Sequence, residues 1–309
     1  MATTTTPERS DTAAAGAPRA RTRGGVDRAF YWMVVPAFVL FFAFHTLPVL
    51  QGLFYSFTDY AGYGDWEFVG LRNYANVFLD DRVRHSYVFT IQFAVVSTIL
   101  VNVIALAIAM GLNARINFRT TLRGIFFMPN VLAILIVGYI FQYLFTFSLP
   151  VIAAGLGIDA LASSILADPD LAWIGIVVLA VWQAAAFSVI LYLAGLQTIP
   201  EDLYEAAAID GASAWQKFRA ITFPLIAAFF TINMVLSLKN FMMVFDHVIA
   251  MTNGGPGTAT ESISVVIFRG GFQGGEFAYQ TANAILYFLL ILAFSFFQLR
   301  ILQRREVEL

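Results

Sequence analysis

The stretch Thr198-Ile199-Pro200-Glu201-Asp202-Leu203-Tyr204-Glu205-Ala206-Ala207-Ala208-Ile209-Asp210-Gly211-Ala212-Ser213-Ala214-Trp215-Gln216-Lys217-Phe218-Arg219-Ala220-Ile221-Thr222-Phe223-Pro224 is a polar island between two apolar runs. The 30 residues between Asp170 and Glu201, and the 19 between Arg219 and Lys239, contain no Asp, Glu, Lys or Arg. The island predicts a short helix, a turn and a second short helix. Pro200 suits the first helical turn, and acids at 201 and 202 favour the positive end of the helix dipole. Ala206, Ala207 and Ala208 are strong helix formers that let another surface approach the backbone. Gly211 stands where a helix ends in a left-handed cap. Trp215 and Phe218 are expected to pack the second helix inward, with Pro224 where the next apolar helix begins.

Working outward, the same count finds uncharged windows of 30 residues between Arg28 and Asp59, 30 between Arg84 and Arg115, 35 between Arg123 and Asp159, and 23 between Glu276 and Arg300. A helix needs about 20 mostly apolar residues to cross a bilayer. The windows therefore predict an all-α, polytopic membrane protein with six spans, near 29–57, 87–111, 124–147, 171–197, 222–250 and 278–299. Ser148-Leu149-Pro150 is expected to break the third window, because the residue before a proline is driven out of helical geometry.

The totals agree. Of 309 residues, 59% are hydrophobic and 12% charged, with 31 Phe, against about 25% charged in an average soluble domain. That balance excludes a soluble enzyme, a disordered chain and a nucleic-acid binder. The absence of cysteine removes disulfides, thiolate metal sites and thiol nucleophiles. Orientation follows from the bases, which concentrate in cytoplasmic loops. With the N-terminus inside, Arg9, Arg19, Arg21, Arg23, Arg28, Arg115, Arg119, Arg123, Lys217, Arg219, Arg300, Arg304 and Arg305 are cytoplasmic. Only Arg72, Arg82, Arg84 and Arg269 fall outside, so both termini are expected in the cytoplasm. Residues 1–28 are too polar to bury a core and read as a disordered tail. The apolar run after them is too long for a cleaved signal peptide.

The polar island resembles the cytoplasmic signature of permease subunits of ATP-binding-cassette (ABC) importers. That signature runs Glu-Ala-Ala, three residues, Gly, nine residues, Ile, one residue, an apolar residue, Pro. It is met at Glu205-Ala206-Ala207, Gly211, Ile221 and Pro224, with Phe223 where Leu is usual. The resemblance implies a coupling helix seated on a separate ATPase, with Glu205, Ala206, Ala207, Asp210 and Gly211 making the contact. Phe245-Asp246-His247, Met251-Thr252-Asn253-Gly254-Gly255-Pro256-Gly257 with Thr260-Glu261, Gly70-Leu71-Arg72-Asn73-Tyr74 and the Gly-Glu-Phe-Ala-Tyr run from Gly275 resemble carbohydrate importers of the maltose type. Read from the residues alone, Asn253-Gly254-Gly255-Pro256 is a tight turn. The implied layout is a cytoplasmic tail at 1–28, a first helix and extracytoplasmic loop at 29–85, a type I permease core at 86–299 with the coupling loop at 198–222, and a cytoplasmic C-terminus at 300–309. The implied partners are a second permease subunit, two ATPase subunits and an extracytoplasmic sugar-binding protein.

The chain supplies no catalytic, metal or cofactor chemistry of its own. A phosphate-binding loop needs Gly-Lys-Ser/Thr, whereas the only lysines are Lys217, between Gln216 and Phe218, and Lys239, between Leu238 and Asn240. His45, His85 and His247 have no paired ligand spacing. Gly270-Gly271-Phe272-Gln273-Gly274-Gly275 follows no strand and reads as a loop. Candidate substrate-path residues are Asn233, Ser237 and Asn240 on helix five, Lys239 and Asp246 within its expected length, and Gln280, Asn283 and Tyr287 on helix six. Helix three adds Tyr139, Gln142 and Tyr143. Amides suit sugar hydroxyls and aromatic faces suit the ring, but the same residues also serve as interhelical hydrogen-bond glue. Lys239 and Asp246 each cost about 2.5–3.5 kcal/mol at a helix centre. On one unbroken helix they share a face about 10 Å apart, which suits a watery path. They also admit a different class of reading, a secondary transporter driven by an ion gradient. An ABC permease for glycerol phosphate or a polyamine is a nearer alternative.

Overall fold

The structure, a computed structural model, describes residues 28–114 and 117–303. The expected tail up to residue 27, with Arg9, Arg19, Arg21 and Arg23, lies outside the described residues, as do Arg115, Arg304 and Arg305. The chain divides into two units, Met1–Gln51 and Gly52–Leu309. Among the described residues the elements are helical, and the only extended pairing is an isolated bridge between Thr58 and Phe68.

Five helices are long and apolar enough to cross a membrane. They are α1 (Trp32–Tyr55), α3 (Asp81–Asn113), α5 (Ile134–Gly155), α6 (Ala172–Leu196) and α12 (Phe277–Gln303). The shorter elements are α2 (Arg72–Leu79), α4 (Arg119–Val131), α7 (Glu201–Ile209), α10 (Asp246–Met251) and α11 (Ile263–Phe272). The fifth expected span is a pair, α8 (Ala214–Leu225) and α9 (Ala227–Met242), bent by 70° at Ile226. In the second unit α3 packs along α6, α9 lies against α3, α6 and α12, and α10 meets α5. The core they enclose includes Phe93, Val101, Ile176, Leu179, Phe241 and Val248. Close approach is set by small residues: a Cβ on Gly138 of α5 would stand 2.4 Å from the Cβ of Ala250 on α10.

Four expectations about the helices need correction. Ser148-Leu149-Pro150 does not break the third span; a π-turn at Leu144–Ser148 carries the helix through Pro150 to Gly155. The same device recurs at Phe42–Thr46 before Pro48 and at Phe218–Thr222 before Pro224. Proline clashes with the carbonyl four residues back. Here that carbonyl belongs to Phe44, Thr146 or Ala220, each time the third residue of the π-turn, where widening moves it off the ring.

The break in this region falls instead at Leu132 and Ala133, both extended, between α4 and α5. Helix five is not continuous to residue 250 either: it ends at Met242 and resumes at Asp246. Lys239 and Asp246 therefore do not share one straight helix. Gly270 and Gly271 are the last turn of α11 rather than a loop. Their helix lies so close to Gln280 that a Cβ on Gly270 would be 2.5 Å from its Nε2.

Candidate functional site

The polar island folds as a helix, a turn and a helix. Pro200 is the N-cap of α7, one position ahead of its expected place, and Glu201 and Asp202 fill the first turn. At the other end Gly211 has φ +76, the left-handed geometry that a β-carbon disfavours. The N–H of Gly211 donates to the carbonyl of Ala208 and that of Ala212 to Ala207, the paired closure of a Schellman motif. Ser213 starts α8 with a capping box: its Oγ accepts from the Gln216 N–H, and Gln216 Oε1 accepts from the Ser213 N–H at 2.7 Å.

Tyr204 and Thr222 share a hydroxyl hydrogen bond of 2.9 Å that ties α7 to α8. Phe218 packs as expected, handing an aromatic chain on through Phe223 to Phe230. Trp215 does not: it stacks on Phe218 but stays 67% exposed. Glu205, Ala206, Asp210 and Gly211 are exposed and Ala207 is half-buried. Ile209, beside them, is 87% exposed. A capped segment thus presents small residues flanked by uncovered apolar ones.

The two helix breaks face a common space. A cavity of about 590 Å³ is lined by Asn130, Leu132 and Ala133 from the first break, by Asn240, Phe245, Asp246 and His247 from the second, and by Gln183. Gln183 is in the middle of α6 and works on both sides. Its Nε2 donates to the Leu132 carbonyl at 3.0 Å, and its Oε1 meets His247 Nε2 at 3.2 Å. The carbonyls freed at the second break are also satisfied, Met242 by the Tyr287 hydroxyl and Val244 by the Ser262 hydroxyl at 2.8 Å. Irregular backbone at membrane depth persists only where protein covers it or where it lines a polar cavity.

The expected path residues divide accordingly. Asn240 and Asp246 line the cavity, and Lys239 is exposed near the end of α9. Ser237 is buried in α9. Asn233 is buried and donates to Asn102 Oδ1 at 2.9 Å, where Tyr192 also donates. Gln280 donates to Glu276 and accepts from Asn283, which in turn meets Tyr87. Asn233, Gln280 and Asn283, with Tyr287, are thus taken up by hydrogen bonds within the bundle. Asn130 and Gln183 were missed in the sequence because each stands alone in its segment, and His247, although it follows Asp246, was weighed only as a metal ligand; the fold brings the three to one cavity.

A third cluster orders the loop from Thr252 to Ser262. Asn253, Gly254 and Gly257 all have positive φ, in keeping with the tight turn read there. Glu261, almost fully buried, takes two hydrogen bonds of 2.7 Å from Arg82 and one of 3.1 Å from Arg269. Arg269 also donates to Asn253 Oδ1 at 2.7 Å. Burial pushes the Glu261 carboxyl up, but Arg82 and then Arg269 outweigh it and hold it below its ordinary 4.5. Asn73 likewise pins residues 56–58, donating to the carbonyls of Ser56 and Thr58.

Residues 102–307 match the family described as binding-protein-dependent transport system inner membrane component. The probable starch degradation products transport system permease protein AmyD of Thermoanaerobacterium thermosulfurigenes is 34% identical over 91% of this chain and 96% of its own length. The sn-glycerol-3-phosphate transport system permease protein UgpA of Brucella abortus is 30% identical over 89% of this chain and 94% of its own. A bacterial ABC transporter that imports the acidic polysaccharide alginate has a chain of the same fold, with a TM-score of 0.79 at 23% identity, covering 90% of this chain and 96% of that one. An all-helical chain with broken spans, a capped loop between them and a family match over two-thirds of its length belongs to the inner-membrane permease components of binding-protein-dependent ABC transport systems.

Proposed function

We propose that the chain is the permease subunit of an ATP-driven importer for a sugar or oligosaccharide. It would form half of the path and couple to a separate ATPase through Glu205, Ala206, Ala207, Asp210 and Gly211. The observation that carries the reading is the capped, exposed segment α7 to α8, in a chain 34% identical to a permease named for starch degradation products. A second permease, two ATPase subunits and an extracytoplasmic binding protein complete the assembly, with both termini cytoplasmic. The core would run from 86 to 299 behind a first helix and outer loop at 29–85.

Substrate would pass the cavity between the two helix breaks. There the amides of Asn130, Gln183 and Asn240 and the carboxyl of Asp246 offer partners to hydroxyls, and Phe241 and Phe245 offer apolar faces. Alternating access follows if ATPase closure moves α7 and α8, and with them α9 and the second break. In proteoliposomes, uptake is expected to require the ATPase and ATP; uptake that persists without them and collapses with the ion gradient would replace this reading with an ion-coupled one. The 30% identity to a glycerol-phosphate permease favours one alternative cargo. Titrating the partner binding protein with maltodextrins and with glycerol 3-phosphate decides between them.

A further inference from the structure

Arg119 and Arg123 stand four residues apart at the start of α4, on one face of the helix. Among the described residues neither makes a hydrogen bond or an ion pair. Nε of Arg119 and both Nε and Nη2 of Arg123 are shielded from water with no partner. A shielded cationic N–H without an acceptor is costly, more so than a neutral one. The helix itself gives no relief, because α4 starts from Phe118 at φ +61 with no side-chain cap, and its free N–H groups add positive potential there.

The surroundings point to what the acceptor is attached to. Arg123 and Gln197 lie at the end of a cleft of about 430 Å³ whose other walls, among them Leu112, Phe127 and Leu193, are apolar. A second cleft of about 520 Å³ shares Phe126, Ala186 and Val189 with it and extends to Trp182. From Trp182 to Gln197 helix α6 rises about 22 Å, enough to cover the roughly 15 Å of hydrocarbon in one leaflet. The groove is long and apolar, with Arg123 at one end and Arg119 one turn before it on the same helix face; α7 departs from this end.

We propose that this groove holds an anionic phospholipid, with an acyl chain along α6 and the phosphate on Arg123 and Arg119. A polypeptide helix fills the apolar walls but pairs the guanidinium groups only if it also places an acidic side chain at that one end. A lipid satisfies both features, as basic pockets between membrane helices do for anionic head groups.

The test uses the full chain, purified with its partner subunits and exposed to equal phosphatidylglycerol and phosphatidylcholine, with retained lipid read by native mass spectrometry. The wild type is expected to retain phosphatidylglycerol at least about fivefold over phosphatidylcholine, the preference that one of the two basic contacts gives by itself. That preference should vanish in Arg119→Gln/Arg123→Gln and survive in Arg300→Gln, at the end of α12. Ala194→Trp, which fills the cleft, should lower retention of both lipids. Equal retention by the wild type overturns the proposal without any variant, and an unchanged preference in the double variant overturns it too. A photo-crosslinker at Ala194 that captures a neighbouring polypeptide and no lipid would make the groove a subunit interface, which also overturns it.

Discussion

At Gly211 the backbone holds φ +76 while the space around the missing Cβ is open, with no heavy atom within 4 Å. Replacement is therefore opposed by conformation alone. A β-branched residue forced into left-handed geometry costs about 1–2 kcal/mol, enough to unwind the cap and turn the exposed segment. Gly211→Val is expected to abolish uptake in a well-expressed protein, while Gly211→Asn, which tolerates this region, keeps part of it. Normal transport by Gly211→Val in proteoliposomes would show that the cap has no part in coupling. Glu261 is a residue of the opposite kind, held by charge. Its folded carboxyl is depressed by Arg82 and Arg269, so its contribution is complete above 4.5 and is lost as pH falls through the lower, folded value. The loop from 252 to 262 should thus become labile in acid, seen as faster amide exchange or proteolysis there. Glu261→Gln should produce the same lability at neutral pH. The cost is about 1–2 kcal/mol, below the roughly 3–5 of a fully buried pair because Arg82 is half in solvent.

Element by element, the helices were largely legible and their interruptions were not. Uncharged windows located the five long apolar helices, the third of them shifted from 124–147 to Ile134–Gly155, and the bent pair that stands for the remaining span, because the bilayer demands length and apolarity and both demands are written locally. The ends of α6 at 172 and 196 lie one residue from those expected. The break at 148–150 was misplaced because proline's effect depends on whether the preceding turn can widen, and a π-turn leaves no compositional mark. The breaks at 132–133 and 243–245 were invisible for a related reason. Their freed carbonyls are satisfied by Gln183, Tyr287 and Ser262, residues 18 to 51 positions away, so nothing nearby in sequence announces them. The helix, turn and helix at 201–225 were legible almost to the residue, because caps and turns are local chemistry; only Pro200, one position early, and Trp215, left exposed, depart from the reading. The cavity yielded only Asn240 and Asp246. Element packing also makes a prediction at Gly138, where α5 and α10 touch. Gly138→Val would drive a side chain into Ala250 and part the two helices that border the cavity. Overpacking of this kind costs about 1–3 kcal/mol, which should lower the unfolding midpoint in detergent and widen the second break. An unchanged midpoint would mean that α10 moves freely against α5.

Across the whole molecule, the proposed coupling segment and the cavity are joined by the bent pair α8 and α9. α8 carries the segment, bends by 70° at Ile226 and passes into α9, whose 16 residues rise about 24 Å to Asn240 and the second break. The Tyr204 to Thr222 hydrogen bond is a strut between α7 and α8, and α8 shares its aromatic chain with α9 through Phe223 and Phe230. If force from an ATPase enters at α7, the strut decides how much of it reaches the cavity. Tyr204→Phe removes one hydroxyl and leaves the ring, the Gly211 cap and the exposed contact residues in place. A hydrogen bond of this kind contributes about 0.5–1.5 kcal/mol, and 1.4 kcal/mol is tenfold in an equilibrium. The variant is therefore expected to bind the ATPase as the wild type does, hydrolyse ATP at a comparable rate, and import about two- to tenfold less substrate per ATP. Loss of ATPase binding would instead place Tyr204 in the docking surface. An unchanged ratio of substrate to ATP would show that motion enters α9 by another route, directly through α8 and its contact of Phe218 with Phe223.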